Sequence, residues 1–330
     1  MKSFLYSTAS VAVLLASANV AAADETFSGV AQLYLGRGSA EGSTLTGLLT
    51  DDPSFLGGKA QGYWKLSPDV HFQVDVFGQK TSDLAKSFSS VQVDESDSSR
   101  VGGAVHLIHP LENRARFGIA GSVWGADVYA FTDNAVDLAL TSATYGLAAL
   151  EGQVYGDDWT IDGQAGAFDT FSCEVNTLPG CPAAAQSGSF ARGKIHFFLN
   201  DDTRLSIEAL QMWGNIDDDL FNGKSALIRS AVWTIEGEYK FPESSYAGFV
   251  ALTHQSDEAE TLLSSSIDTQ SIMIGLKFYL DQPTLKAHER SGASFDTPQF
   301  GNGLELGAIN ALGGEFGCLG GAGGPVDVSC

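Results

Sequence analysis

Few side chains in this chain stand at spacings that could do covalent chemistry. His254 and Ser256 lie two residues apart beside a long polar segment, so a strand would put a base and a hydroxyl on one face. Asn215, Asp217 and Asp219 offer oxygen atoms at alternate positions, like the opening of a calcium loop. Such a loop needs glycine at its sixth position and glutamate at its twelfth, and Leu220 and Ala226 stand there. The stretch therefore reads as a solvated acidic loop, able to bridge to lipopolysaccharide through divalent cations, and no metal site is assigned. Cys173 and Cys181 share one long loop, and Cys318 and Cys330 share the last fifty residues. Local pairing, Cys173–Cys181 and Cys318–Cys330, is expected, with two other connectivities open. No CxxC spacing suggests redox or zinc chemistry. No glycine-rich phosphate loop lies between a strand and a helix, so no nucleotide or other cofactor is expected.

The charges decide more. Forty acidic residues face 18 basic ones, a formal net charge of -22. Phosphate binding needs clustered Lys and Arg, so nucleic acid is excluded as a partner. Residues 1–23 read as a secretory signal peptide, with Lys2, an apolar Val11–Ala16 centre and the small residues Ala21–Ala23 before cleavage. An even number of cysteines suits the oxidising compartment that this implies. No later apolar run is long enough for a membrane helix.

Segments of period two must position these groups. In Val70–Gly78, Val70, Phe72, Val74 and Val76 point one way, and His71, Gln73 and Asp75 the other. In Phe27–Gly36, Phe27, Ala31, Leu33 and Leu35 oppose Ser28, Gln32 and Tyr34. In Ser271–Leu280, Ile272, Ile274, Leu276, Phe278 and Leu280 share a face opposite Lys277. Similar segments come in pairs: 60–66 with 70–78, 101–108 with 116–124, 146–155 with 159–168, 191–199 with 203–213 and 231–241 with 246–254. Each pair is joined by a tight turn of Pro, Gly, Asn, Asp or Ser. Longer polar connections, 37–54, 81–98, 125–142, 170–187, 215–227 and 257–268, alternate with those turns. About twelve strands result.

The closing stretch Ser271–Leu280 resembles the last strand of a bacterial outer-membrane β-barrel, in which a glycine, an aromatic and an apolar residue stand where Gly275, Phe278 and Leu280 do. The resemblance covers residues 24–280 and implies an all-β, antiparallel up-and-down transmembrane barrel of about twelve strands, with short periplasmic turns, long extracellular loops and an apolar belt facing lipid. Trp64, Phe72, Phe117, Trp159, Phe197, Tyr239, Phe241 and Phe278 gather near the periplasmic end as an aromatic girdle. Fifty residues follow Leu280, unlike the usual barrel. Residues 281–330 are expected to form a glycine-rich periplasmic tail or a plug in the lumen, and Leu304–Ile309 could add a hairpin.

The inward face is then the functional surface. Parity places Lys59, Lys65, Arg100, Arg116, Arg192, Lys194, Arg204, Lys240 and Lys277 there, with Asp75, Glu151, Asp162, Glu208, Glu236 and Glu238. His71, His106 and His196 read as ordinary lumen polar groups. The barrel is similar in size to narrow twelve-stranded channels, which implies a porin-like channel in a Gram-negative outer membrane, passing small polar or charged solutes by passive diffusion. A structural or adhesive barrel with a blocked lumen is the alternative. Twelve-stranded outer-membrane phospholipases carry a His and a Ser two apart on the lipid side, as His254 and Ser256 are spaced; Asp257-Glu258 replaces that family's Asn-Gly, so no catalytic residue is assigned. Many porins are trimers, and the sequence leaves an oligomer open.

Overall fold

The computed structural model describes residues 27–43, 49–50, 52–82, 85–88, 91–92, 95–111, 114–131, 137–174, 187–216, 226–260, 265–280 and 283–298. Twelve long antiparallel strands close into one barrel in which every strand pairs with its neighbours in sequence. They are β1 (Phe27–Ser43), β2 (Ser54–Ser67), β3 (Val70–Ser82) and β4 (Glu95–Leu111). Then come β5 (Ala115–Phe131), β6 (Asp137–Tyr155), β7 (Trp159–Glu174) and β8 (Ser187–Asn200). The last are β9 (Thr203–Ile216), β10 (Ala226–Lys240), β11 (Tyr246–Glu260) and β12 (Ser265–Leu280). The seam pairs β1 with β12, from Gly29 opposite Leu280 to Ser43 opposite Ser266. A small sheet of Leu49–Thr50, Ala85–Phe88 and Val91–Gln92 lies among the long-loop segments.

The alternation read from the sequence sets the register. Leu33, Val105, Leu252 and Leu276 stand out from the wall, Leu33 at 62% exposure, while Asp75 on the opposite face of its own strand is fully buried. No soluble protein leaves such a continuous apolar belt in water, because each methylene costs roughly 0.8 kcal/mol to hydrate. At the short-turn end the outward aromatics pack in pairs: Phe27 with Trp64 at 5.1 Å, Tyr239 with Phe241 at 5.7 Å and Tyr246 with Phe278 at 5.1 Å between ring centres. Trp213 and Trp233 stand outward toward the other rim.

Two expectations need correction. The strands run 13 to 19 residues, longer than the seven to eleven read from alternation, and extend into segments assigned to loops. About ten residues cross a bilayer, and beyond it both faces are solvated, so the alternation fades although the pairing continues. The interior is also less polar than expected. Phe77, Trp124, Tyr145, Phe168, Phe190, Leu210, Met212 and Ile228 form a buried cluster inside the long-loop half, with Trp124 stacked on Tyr145 at 5.2 Å. Their strands are apolar on both faces there, which hides the inward side from a two-period reading.

Gly275 admits a close approach. A Cβ there would lie 2.5 Å from the Phe249 ring, which covers the glycine on the lumen face and in turn receives the Lys277 ammonium at 4.8 Å.

Candidate functional site

The lumen narrows onto a segment of the chain itself. After β12 comes a short helix, α1 (Leu285–Ser291). Thr284 caps it, its Oγ1 accepting from the Ala287 N–H at 3.1 Å, and the Gly292 N–H closes the other end on the His288 carbonyl. Lys286 pairs with Asp158 at 2.8 Å, its backbone N–H reaches the Asp201 carbonyl, and Arg290 donates to the Gly156 and Asp157 carbonyls. These contacts hold α1 to short turns at one end of the barrel. Leu285 seats among Val30, Phe198, Ala247 and Tyr279, and residues 292–298 continue up the lumen.

Inward side chains from most of the wall receive this segment. Arg116 donates to the carbonyls of Gly292 at 3.0 Å and Glu289 at 2.8 Å, and its guanidinium lies 5.0 Å over the Phe295 ring. Gln61 and Gln73 donate to the Phe295 carbonyl, and Thr297 Oγ1 to Asp75. Phe295 stacks parallel to His106, beside Tyr63 and Ile108. The Glu289 carboxylate accepts from Arg204 at 2.5 Å and Gln153 at 2.6 Å. The Asp296 carboxylate takes Lys59 at 2.6 Å, Lys194 at 2.9 Å and Arg192 at 3.4 Å.

The charges that parity placed inward therefore meet one another and this segment. Arg192 grips Glu208 with two bonds of 2.8 and 2.7 Å. Arg204 and Lys277 share Glu238, at 2.6 and 2.8 Å, and Lys277 also reaches Glu236 at 2.8 Å. Asp75 lies between Lys59 at 3.5 Å and His106 at 3.6 Å, and Glu151 holds the other nitrogen of His106 at 3.0 Å. Lys240 ties the Ser244 and Pro283 carbonyls at the short-turn rim. Asp162 accepts from His196 at 3.0 Å. Arg100 lines the long-loop half, and Lys65 is exposed at the short-turn end. Parity did not reveal Glu289 and Asp296, which lie beyond the last strand. The one local signal was Thr284 followed by the good helix formers Leu285 to Arg290 within an otherwise glycine-rich stretch.

Two groups of the segment are electrostatically tuned. Burial alone would raise the Asp296 carboxyl, but Lys194, Lys59 and Arg192 hold it well below the usual carboxylate range. Burial pushes the His288 imidazole down from 6.5 to about 3. Its Nε2–H donates to the Ala293 carbonyl at 2.8 Å, while Nδ1 is buried without a partner. That is the pattern of a neutral ring.

Asp162, His196 and Glu289 bring ligand atoms within 4.8 Å of one another at the junction of wall and segment. His196 also meets the Ser206 hydroxyl at 2.7 Å, and Arg204 and Gln153 donate to Glu289 and so tie plug to wall. Above the segment lies a vestibule of about 240 Å³, with Tyr34, Arg100, Arg192, Glu208, Thr253 and Gln255 in its wall and Asp296 and Thr297 at its floor. His254 and Ser256 share the outward face of β11 as their spacing required, opposite Gln270 and Asp268 of β12, and do not bond to each other. The β7 backbone reaches Cys173 opposite Ala143; its side chain, the other three cysteines, the signal segment 1–23, most of the Asn215–Gly223 loop and Leu304–Ile309 lie outside the described residues.

A closed cylinder with grease outside and charge within admits one environment. The chain has the fold of an outer-membrane β-barrel. No family model and no curated protein matches its sequence. Among solved structures it is similar to the translocator domain of the autotransporter NalP from Neisseria meningitidis, at 12% identity and TM-score 0.46, over 82% of this chain and 97% of that one. It is also similar to the KdgM porin, at 8% identity and TM-score 0.39, over 75% and 98%. A third similarity is to the P. putida toluene transporter TodX, at 10% identity and TM-score 0.37, over 80% and 92%. Likeness this distant carries no functional argument, which rests on the lumen itself.

Proposed function

We propose that this protein is an outer-membrane channel for small polar or charged solutes, closed at its periplasmic side by residues 283–298. The observation that carries this reading is the chemistry of the closure. An apolar filling leaves nothing for water to wet when it moves. Here the plug is held chiefly by ion pairs and hydrogen bonds, through Glu289 and Asp296, to a wall that would stay charged without it. Rings of charge in a narrow bore pass ions and select among them. The short turns set the periplasmic side, as in bacterial barrels generally.

Planar-bilayer recording tests the reading. The full chain should give rare, brief steps, and a Glu289→Ala, Asp296→Ala double variant should give frequent, long-lived ones. A double variant that folds and inserts but stays silent defeats it. The reading then favoured is a structural or adhesive barrel with a blocked lumen, which has its own support in the aromatic cluster filling one side of the upper bore. Lipid hydrolysis by His254 and Ser256 stands third, and phospholipase activity lost in Ser256→Ala would be needed to raise it.

A further inference from the structure

We infer that the Asp296 carboxylate occupies the site of an anionic solute, and that a carboxylate arriving from the vestibule displaces it and opens the channel. The inference rests on the channel reading and names its cargo and its trigger.

Lys59 belongs to β2, and Arg192 and Lys194 to β8, six strands away round the ring of twelve. They come from opposite walls and converge on one carboxylate, Lys59 at Oδ1 and the other two at Oδ2. Without Asp296, Arg192 and Lys194 would keep Glu208 and Lys59 would keep Asp75, but all three would lose the carboxylate on which they converge. Charge-assisted hydrogen bonds from fixed donors are the standard recognition of a carboxylate, and this set is already assembled around one. The vestibule opens onto the same atoms, sharing Lys59, Arg192 and Asp296 as lining, and has room for a small organic acid. The solute thus needs no new site. It competes for one that the chain fills itself, and every cation it captures is lost to the plug. A neutral solute has no such leverage, and a cation cannot take the place of a carboxylate among these three donors.

The test uses the full chain in planar bilayers, with citrate as the polycarboxylate, glycerol as the neutral control and spermidine as the cation. Citrate on the extracellular side should raise open probability severalfold, with open steps that favour anions, while glycerol and spermidine leave it unchanged. Asp296→Asn should raise open probability about ten-fold without citrate, the equivalent of one hydrogen bond to a charged group, and should no longer respond to citrate. Lys194→Met should remove the anion preference. Open steps that prefer cations, or an Asp296→Asn channel that opens while the parent ignores citrate, overturn the inference and leave the channel reading standing. A barrel silent in every arm overturns both.

Discussion

Acid should loosen the plug through His288, and the size of the effect follows from its setting. The imidazole is buried beside Tyr279 of β12, whose ring lies 4.7 Å away, with Arg204 of β9, Glu238 of β10 and Arg116 of β5 as the neighbouring charges. Docked, its pKa falls from 6.5 to about 3; in an undocked, hydrated segment it returns to 6.5. The docked state binds fewer protons, so its stability is complete above 6.5 and is lost as pH falls from there toward 3. At pH 5 the loss is roughly 2 kcal/mol, or about thirty-fold in the docked-to-undocked ratio. Asp296 adds no slope between pH 7 and 5, because it is ionised in both states there. Hydrogen exchange at the amides of 284–292 in the refolded barrel, corrected for the intrinsic rate at each pH, reads this ratio. Through His288 protection should fall by up to about thirty-fold from pH 7.5 to 5 in the parent, and the fall should be clearly smaller in His288→Gln, whose amide can still donate to Ala293. Unchanged protection in the parent, or an equal slope in the variant, refutes the reasoning.

Other outcomes follow from single contacts. Thr284→Ala removes the cap of α1 and should cost about 1 kcal/mol, seen as roughly five-fold faster exchange in 284–292 with no change in the strands. Arg204→Met strands Glu238 and Glu289 in the interior and should lower barrel stability by about 3 kcal/mol in urea unfolding from liposomes, part of Glu238 being rescued by Lys277. Leu252→Arg, at the middle of β11 on its outward face, should cost ~2–4 kcal/mol in the same assay.

The barrel was legible wherever the two faces of a strand differ. Val70–Gly78 announces its register because His71, Gln73 and Asp75 cannot face lipid, and parity alone then fixes a whole strand. Thr203–Trp213 and Tyr246–His254 show less contrast between their faces, because Leu210, Met212, Ala247 and Phe249 are apolar yet point inward, a choice made by packing across the lumen. Parity likewise sets Lys59 and Lys194 on inward faces, but says nothing of where they meet. Their common partner Asp296 lies 237 and 102 residues away in sequence, in a stretch with no period of its own. Long-range electrostatic closure leaves no local trace.

The seat of Leu285 has a consequence for how the molecule is put together. It is built from Val30 of β1, Phe198 of β8, Ala247 of β11 and Tyr279 of β12, so it straddles the line where the first and last strands join. A sheet whose edges have not yet met offers no such socket. Pulse labelling during refolding should accordingly find strand amides protected before those of 284–292. The stopper goes in last, and a lesion that parts the edges of the wall also unseats it, tying leak resistance to the integrity of that seam.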